Sequence, residues 1–193
     1  IDTNINSGFI ELTNYGIFAT QIVETDSLII SILVNKYSLI NELYSYEIAA
    51  LLSCFTEISI PEDKQIYRPN TDNYLLNNIC IQLQDIIDIV KDAEYNYGTF
   101  LSNNYSIHYN LLFFVIEWCS AKNNQQCELI LNNANANSIS KTDFIKAILK
   151  INNIVNELCN ACKLTNNTIL LNKLIKIPPL LLKNIITDQS LYT

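Results

Sequence analysis

Ser53 and Cys54 stand side by side in the stretch SYEIAALLSCFTE, residues 45–57, and an adjacent hydroxyl and thiol are the first place to look for a nucleophile. A nucleophile elbow needs glycines at the strained turn that exposes the reacting atom. The three glycines of this chain, Gly8, Gly16 and Gly98, all lie elsewhere. Ile48, Leu51, Leu52 and Phe55 instead fall at i, i+3, i+4 and i+7, the spacing that gathers them on one side of a helix. Ser45 is expected as its N-cap, with Glu47 complementing the positive first turn. The stretch therefore predicts a buried helix and no covalent catalysis.

Cys159 and Cys162 form a C-x-x-C pair, which is half of a zinc site. A structural zinc takes four ligands, and no second C-x-x-C or H-x-H pair accompanies it. A redox role would want a surrounding βαβ pattern, which is absent from the sequence. His108 is the one histidine, beside Tyr109 and near Tyr105, with no carboxylate assigned to orient it as a base. Trp118, in FFVIEWCS, is expected as a core aromatic at the end of a helix. Neither G-x-x-x-x-G-K-[ST] nor G-x-G-x-x-G can be written with these glycines, so no nucleotide-phosphate loop belongs to this segment. The expectation is a segment without catalytic residues, cofactor or metal of its own.

The elements that would position any functional group are helices. Leu75, Leu76, Ile79, Leu83, Ile86, Ile87 and Val90 make one stripe of a long helix, with Gln82, Asp85, Asp88 and Asp92 on its other side. Phe144, Ile148, Ile151, Val155, Leu158 and Cys162 alternate at steps of four and three, a coiled-coil-like seam along a second. Shorter helices are predicted near 14–24, 26–35, 108–121, 124–132, 167–176 and 178–186, the last begun by Pro178 and Pro179. Residues 58–72 and the polar run NNANANSIS, 132–140, are predicted loops. No period-2 run stands out. The predicted fold class is all-α: a helical bundle with two long helices and several short ones, one domain over residues 1–193.

The 193 residues carry a net charge of −7, at first sight unsuited to nucleic acid. The distribution says more: seven lysines against three acidic residues give residues 141–193 a charge of +4, leaving −11 for residues 1–140. Such asymmetry marks a partner surface. No stretch approaches the ~18 apolar residues of a membrane span, and none resembles a signal segment, so an intracellular, unsecreted protein with no membrane contact is expected. The six cysteines fall at apolar helical positions, and the sequons at Asn104 and Asn166 are read as accidents of an Asn-rich chain. The absence of methionine suggests a piece of a larger polypeptide.

Within the basic quarter, Lys146, Lys150, Asn153 and Glu157 recur at i, i+4, i+7 and i+11, so they line one flank of the second long helix, roughly opposite its seam. The choice at this point lies between a solvated face and phosphate contact, for which lysine's point charge is adequate.

Five stretches in order, YGIFATQIVETDSLI (15–29), EIAALLSCF (47–55), VIEWCSA (115–121), SKTDFIKAILKINNIVNELCNACKLTNNTILLNKL (140–174) and KNIITDQSLYT (183–193), resemble the C-terminal DSHCT domain of DExH-box RNA helicases of the superkiller and exosome-cofactor type. The resemblance implies an all-helical module packed on two RecA-like motor domains of the same chain, helping to enclose single-stranded RNA as an ATP-driven core moves 3′ to 5′. ATP and magnesium would belong to that core, and an exosome-like complex would be a further partner. Lys146 occupies the place of an RNA-contacting arginine of the family, in TDFIK, and Glu57 is the nearest match to a glutamate that approaches RNA. Nucleic-acid contact is thus expected at Lys146, Lys150, Asn153 and Glu57. The chain departs from the family pattern at Ala121, where a glycine is usual, and in KNII, where an Arg-Asp pair is common. The alternative is a stand-alone helical interaction module whose acidic body docks a partner protein and never meets RNA.

Overall fold

The computed structural model describes residues 3–6, 9–36, 38–98, 107–183 and 185. It begins with a short antiparallel ribbon, β1 (Thr3–Asn6) and β2 (Phe9–Leu12), in register from Thr3 opposite Leu12 to Asn6 opposite Phe9. These strands carry no period in the sequence, because four residues each are too few to show one. Helices follow: α1 (Asn14–Ala19), α2 (Ser27–Lys36), α3 (Ser45–Leu52), α4 (Tyr74–Tyr97), α5 (Leu112–Ser120), α6 (Asn124–Ala136), α7 (Lys141–Leu164), α8 (Thr168–Leu174) and α9 (Ile177–Leu182). Three 3₁₀ turns, Ser38–Glu42, Ser53–Phe55 and Glu62–Lys64, punctuate them. The all-α bundle with two long helices is what the periodicity predicts.

Short polar side chains serve as helix caps. Side-chain oxygens of Asn73, Asn123, Ser140 and Asn167 accept backbone N–H groups in the first turns of α4, α6, α7 and α8, filling orphan donors that would otherwise need water. Three helix ends turn through the left-handed region, at Gly98 (φ 66°), Ser138 (φ 68°) and Asn166 (φ 56°).

Helix α3 is the centre. Glu47, Ile48, Ala49, Ala50, Leu51 and Leu52 are all buried, as expected of a helix covered on every side, and it packs on α5, α7, α8, α9 and α4. Its N-cap is Tyr44 rather than the predicted Ser45: the Glu47 carboxylate reaches back to accept the Tyr44 N–H at 2.8 Å, and the Ser45 hydroxyl donates to the Lys173 carbonyl at 2.9 Å. Glu47 also accepts from the Asn73 amide, so one buried carboxylate fastens the start of α3 to the cap of α4. Every residue of the predicted α7 seam is buried. At the bundle's far end the Trp118 indole donates to the Leu181 carbonyl at 2.9 Å and meets the Phe144 ring edge-on at 5.4 Å, joining α5, α7 and α9.

Several boundaries differ for physical reasons. The predicted helix over 108–121 starts at Leu112, because the Tyr109 N–H and the Asn110 side chain are spent on Ile66 and Lys64 of the preceding loop. Helix α6 runs through half of the predicted 132–140 loop, since Leu131 and Ala134 continue its buried stripe, and it stops where Ser138 turns left-handed. The helix predicted over 14–24 ends at Ala19. Gln82, placed on the open side of α4 from sequence, is half-buried. For the helix predicted over 178–186, residues 184 and 186 lie outside the described residues, as does Tyr105.

Candidate nucleic-acid interface

Helix α7 is held by its seam against α1, α3, α6, α8 and α9, which leaves the opposite flank to carry polar groups. That flank divides into two halves. Toward the C-terminus, Glu157 Oε2 accepts the backbone N–H of Val23 at 3.0 Å and of Glu24 at 3.1 Å, and the Asn153 amide donates to Glu24 Oε1 at 3.1 Å. The connector between α1 and α2 is thus strapped along the helix. Toward the N-terminus, Lys146 is exposed and Lys150 half-buried, and neither ammonium has a hydrogen-bond or ion-pair partner among the described residues.

The sequence-predicted site residues are therefore not equivalent. Lys146 and Lys150, one turn apart, keep their charge available. Asn153 is already engaged by Glu24 across 129 residues of sequence. Glu57 is exposed, two residues beyond the 3₁₀ turn Ser53–Phe55 that packs on α7. The strap at Val23 and Glu24 was invisible in the sequence: no local pattern announces that a loop 134 residues away will use the carboxylate of Glu157.

The chemistry weighed at the cysteines and Ser53 is sequestered. Ser53 is buried and its hydroxyl donates back to the Ala50 carbonyl at 2.6 Å. The six cysteines are buried and unbridged. Burial pushes the thiols of Cys119 and Cys162 up to about 12 and raises those of Cys54 and Cys159, Cys54 through its contact with Cys80 first and burial second. Thiols so shifted are poor nucleophiles and poor ligands. Among the described residues no group of three or more His, Cys, Asp or Glu side chains converges as a metal site.

A cleft of about 320 Å³ opens beside Lys64, Ile66, Asn110, Phe114, Ala136 and Asn137. Its polar groups are occupied: Asn110 binds the Ile66 N–H and the Lys64 carbonyl, and the Lys64 ammonium donates to Ser138 Oγ at 3.0 Å. None of the four predicted nucleic-acid residues lines it. His108, whose ring lies edge-on to Tyr67 at 6.2 Å, is half-buried and carries a buried Nδ1 without a hydrogen-bond partner among the described residues. No described helix is long and apolar enough to cross a membrane.

Outside the structure, no curated protein matches the chain. The sequence model of the DSHCT (NUC185) domain matches residues 11–188, from the end of β2 past the end of α9. This domain is the one found in superkiller-type helicases. A helical bundle centred on α3, with α7 laid across it, matched over nearly its whole length by that model, belongs to the DSHCT domain family.

Proposed function

We propose that the chain is the helical module of an ATP-dependent 3′–5′ RNA helicase of the superkiller type, one domain of a longer polypeptide, and that it guides single-stranded RNA leaving the motor. The contact would be made by the N-terminal half of the α7 flank, with Lys146 and Lys150 on phosphates and Glu57 beside them. ATP and magnesium would be handled by the RecA-like core, with an exosome-like complex downstream. Membership of the family supports the helicase setting. The observation that carries the RNA reading is the pair of ammonium groups one turn apart on α7 that have no partner among the described residues, on a flank otherwise tied down. Lysine supplies sequence-independent phosphate attraction without arginine's planar fork, which suits a surface past which any sequence must slide.

The measurement is the affinity for a single-stranded RNA oligonucleotide as a function of salt. Each phosphate contact adds about 0.7 to the slope of log K against log salt on single strands. Lys146→Ala should lower that slope by about this amount and weaken binding to every sequence alike. A slope unchanged by the substitution removes Lys146 from the interface, and no binding by the wild-type chain removes the RNA reading altogether.

A further inference from the structure

We infer that the outward seam of α4 is a docking surface for a basic amphipathic helix of a partner protein. Helix α4 is 24 residues long, about 36 Å at 1.5 Å per residue. Its inner face, through Leu76, Ile79, Leu83, Ile86 and Val90, packs on α2 and α3. On the other side Tyr74, Ile81, Asp85, Asp88, Asp92 and Tyr95 follow one another at steps of seven, four, three, four and three, so they share one ridge. That ridge is bare: Tyr74 is 85% exposed, Ile81 53% and Tyr95 76%, with Ile89 flanking it at 55%. The pattern is a heptad seam facing outward. A second helix can follow it with a gentle left-handed supercoil, because a 3.6-residue turn drifts by about 20° per heptad.

Electrostatics chooses the occupant. Asp85 and Asp88 are three residues apart and Asp88 and Asp92 four, so like charges neighbour one another along the ridge, an arrangement that disfavours an isolated helix. The last turn of α4 has no basic residue to meet the negative end of the helix dipole. Helix α4 holds four acidic residues, Asp85, Asp88, Asp92 and Glu94, against one basic residue, Lys91, so it keeps an excess of negative charge, and the contact that Asp88 receives from the Gln84 amide at 3.0 Å is neutral. A neutral apolar partner would have to bury three carboxylates, and an acidic one would be repelled. A helix with Lys or Arg over its central turns and apolar residues over its ends satisfies both the carboxylates and the bare Tyr74, Ile81 and Tyr95. Lysine and arginine stems also lie well along tyrosine and isoleucine surface.

The test uses the 193-residue chain and three synthetic peptides of matched length. The first carries lysine at the central and leucine at the terminal seam positions, the second scrambles that composition, and the third replaces lysine by glutamate. Fluorescence anisotropy at physiological salt should show the seam peptide binding about tenfold tighter than the scrambled one. D85N/D88N/D92N should abolish that preference, and Ile81→Ser with Tyr95→Ser should reduce it. E62Q/D63N/E128Q removes as many exposed carboxylates elsewhere and should leave it unchanged, with circular dichroism checking that all variants keep their helix content. Equal binding of the seam and scrambled peptides would overturn the inference, since it would mean attraction to an acidic body without a seam. So would an effect of the control triple as large as that of the α4 triple. Sedimentation showing that the chain self-associates through α4, with the α4 triple restoring monomers, would assign the face to a second copy and overturn it as well.

Discussion

Removing one oxygen atom should loosen the α1–α2 connector from α7. Both backbone N–H groups of the strap, from Val23 and Glu24, point to the same atom, Oε2 of Glu157. Hydrogen bonds to a charged acceptor contribute about 1.5–3 kcal/mol when buried, but these lie at the surface, where water replaces a lost partner, so about 0.5 kcal/mol each is the better figure. Glu157→Ala should therefore destabilise the fold by about 1 kcal/mol, a fall in Tm of about 2–4 °C for a chain of this size. Glu157→Gln keeps an oxygen that can accept both donors and loses only the charge, so its cost should be at most half of that. The two substitutions thus separate geometry from charge. Urea unfolding followed by fluorescence is well suited, because Trp118 is the sole tryptophan and only 1% exposed. Combining Glu157→Ala with Asn153→Ala should cost less than the sum of the two, since both residues anchor the same loop. Equal effects of Gln and Ala at 157, or none from either, would refute the strap.

Two further outcomes follow from the core. Trp118→Phe keeps an aromatic ring against Phe144 but leaves the Leu181 carbonyl without its indole donor, and should cost about 2–4 kcal/mol, the orphaned acceptor and a small cavity together, measured by circular dichroism because the fluorophore is gone. Alkaline stability should fall between pH 9 and 12: the Cys119 and Cys162 thiols stay protonated to about 12 when folded against 9.0 unperturbed, so above pH 9 the unfolded chain binds fewer protons and gains ground, while below pH 9 these groups add no pH dependence. Cys162→Ala should flatten that alkaline decline, read as the urea midpoint at pH 8 and pH 10.5.

What could be read from the sequence was whatever repeats at short range. The seams of α4 and α7 span 24 residues each, long enough for a 3.6-residue period to declare itself, and their buried sides agree with the pattern. Ser53 and Cys54 were legible as buried because the residues around them keep the same period. Boundaries set by partners remote in sequence were not. Leu112 begins α5 because Asn110 answers to Ile66 and Lys64, and Tyr44 caps α3 because Glu47 turns back while Ser45 bonds Lys173. The candidate site shows the same division. The spacing 146, 150, 153, 157 correctly gathers one flank, yet only the tertiary fold reveals that Asn153 and Glu157 hold a loop while Lys146 and Lys150 do not. Proteins settle such assignments by long-range packing, which a helical period does not encode.

The joint at Trp118 has a bearing on biosynthesis. Its indole and the neighbouring Cys119 carbonyl are served by Leu181 and Lys183, more than 60 positions downstream. Helices emerging earlier from the ribosome can gather, but the slot between α5 and α7 stays unfilled until elongation has passed residue 182. Any product released short of that point would present an open apolar groove with a stranded indole N–H, a ready substrate for chaperones and proteases. Helix α9 is thereby the element that closes this slot and covers the indole.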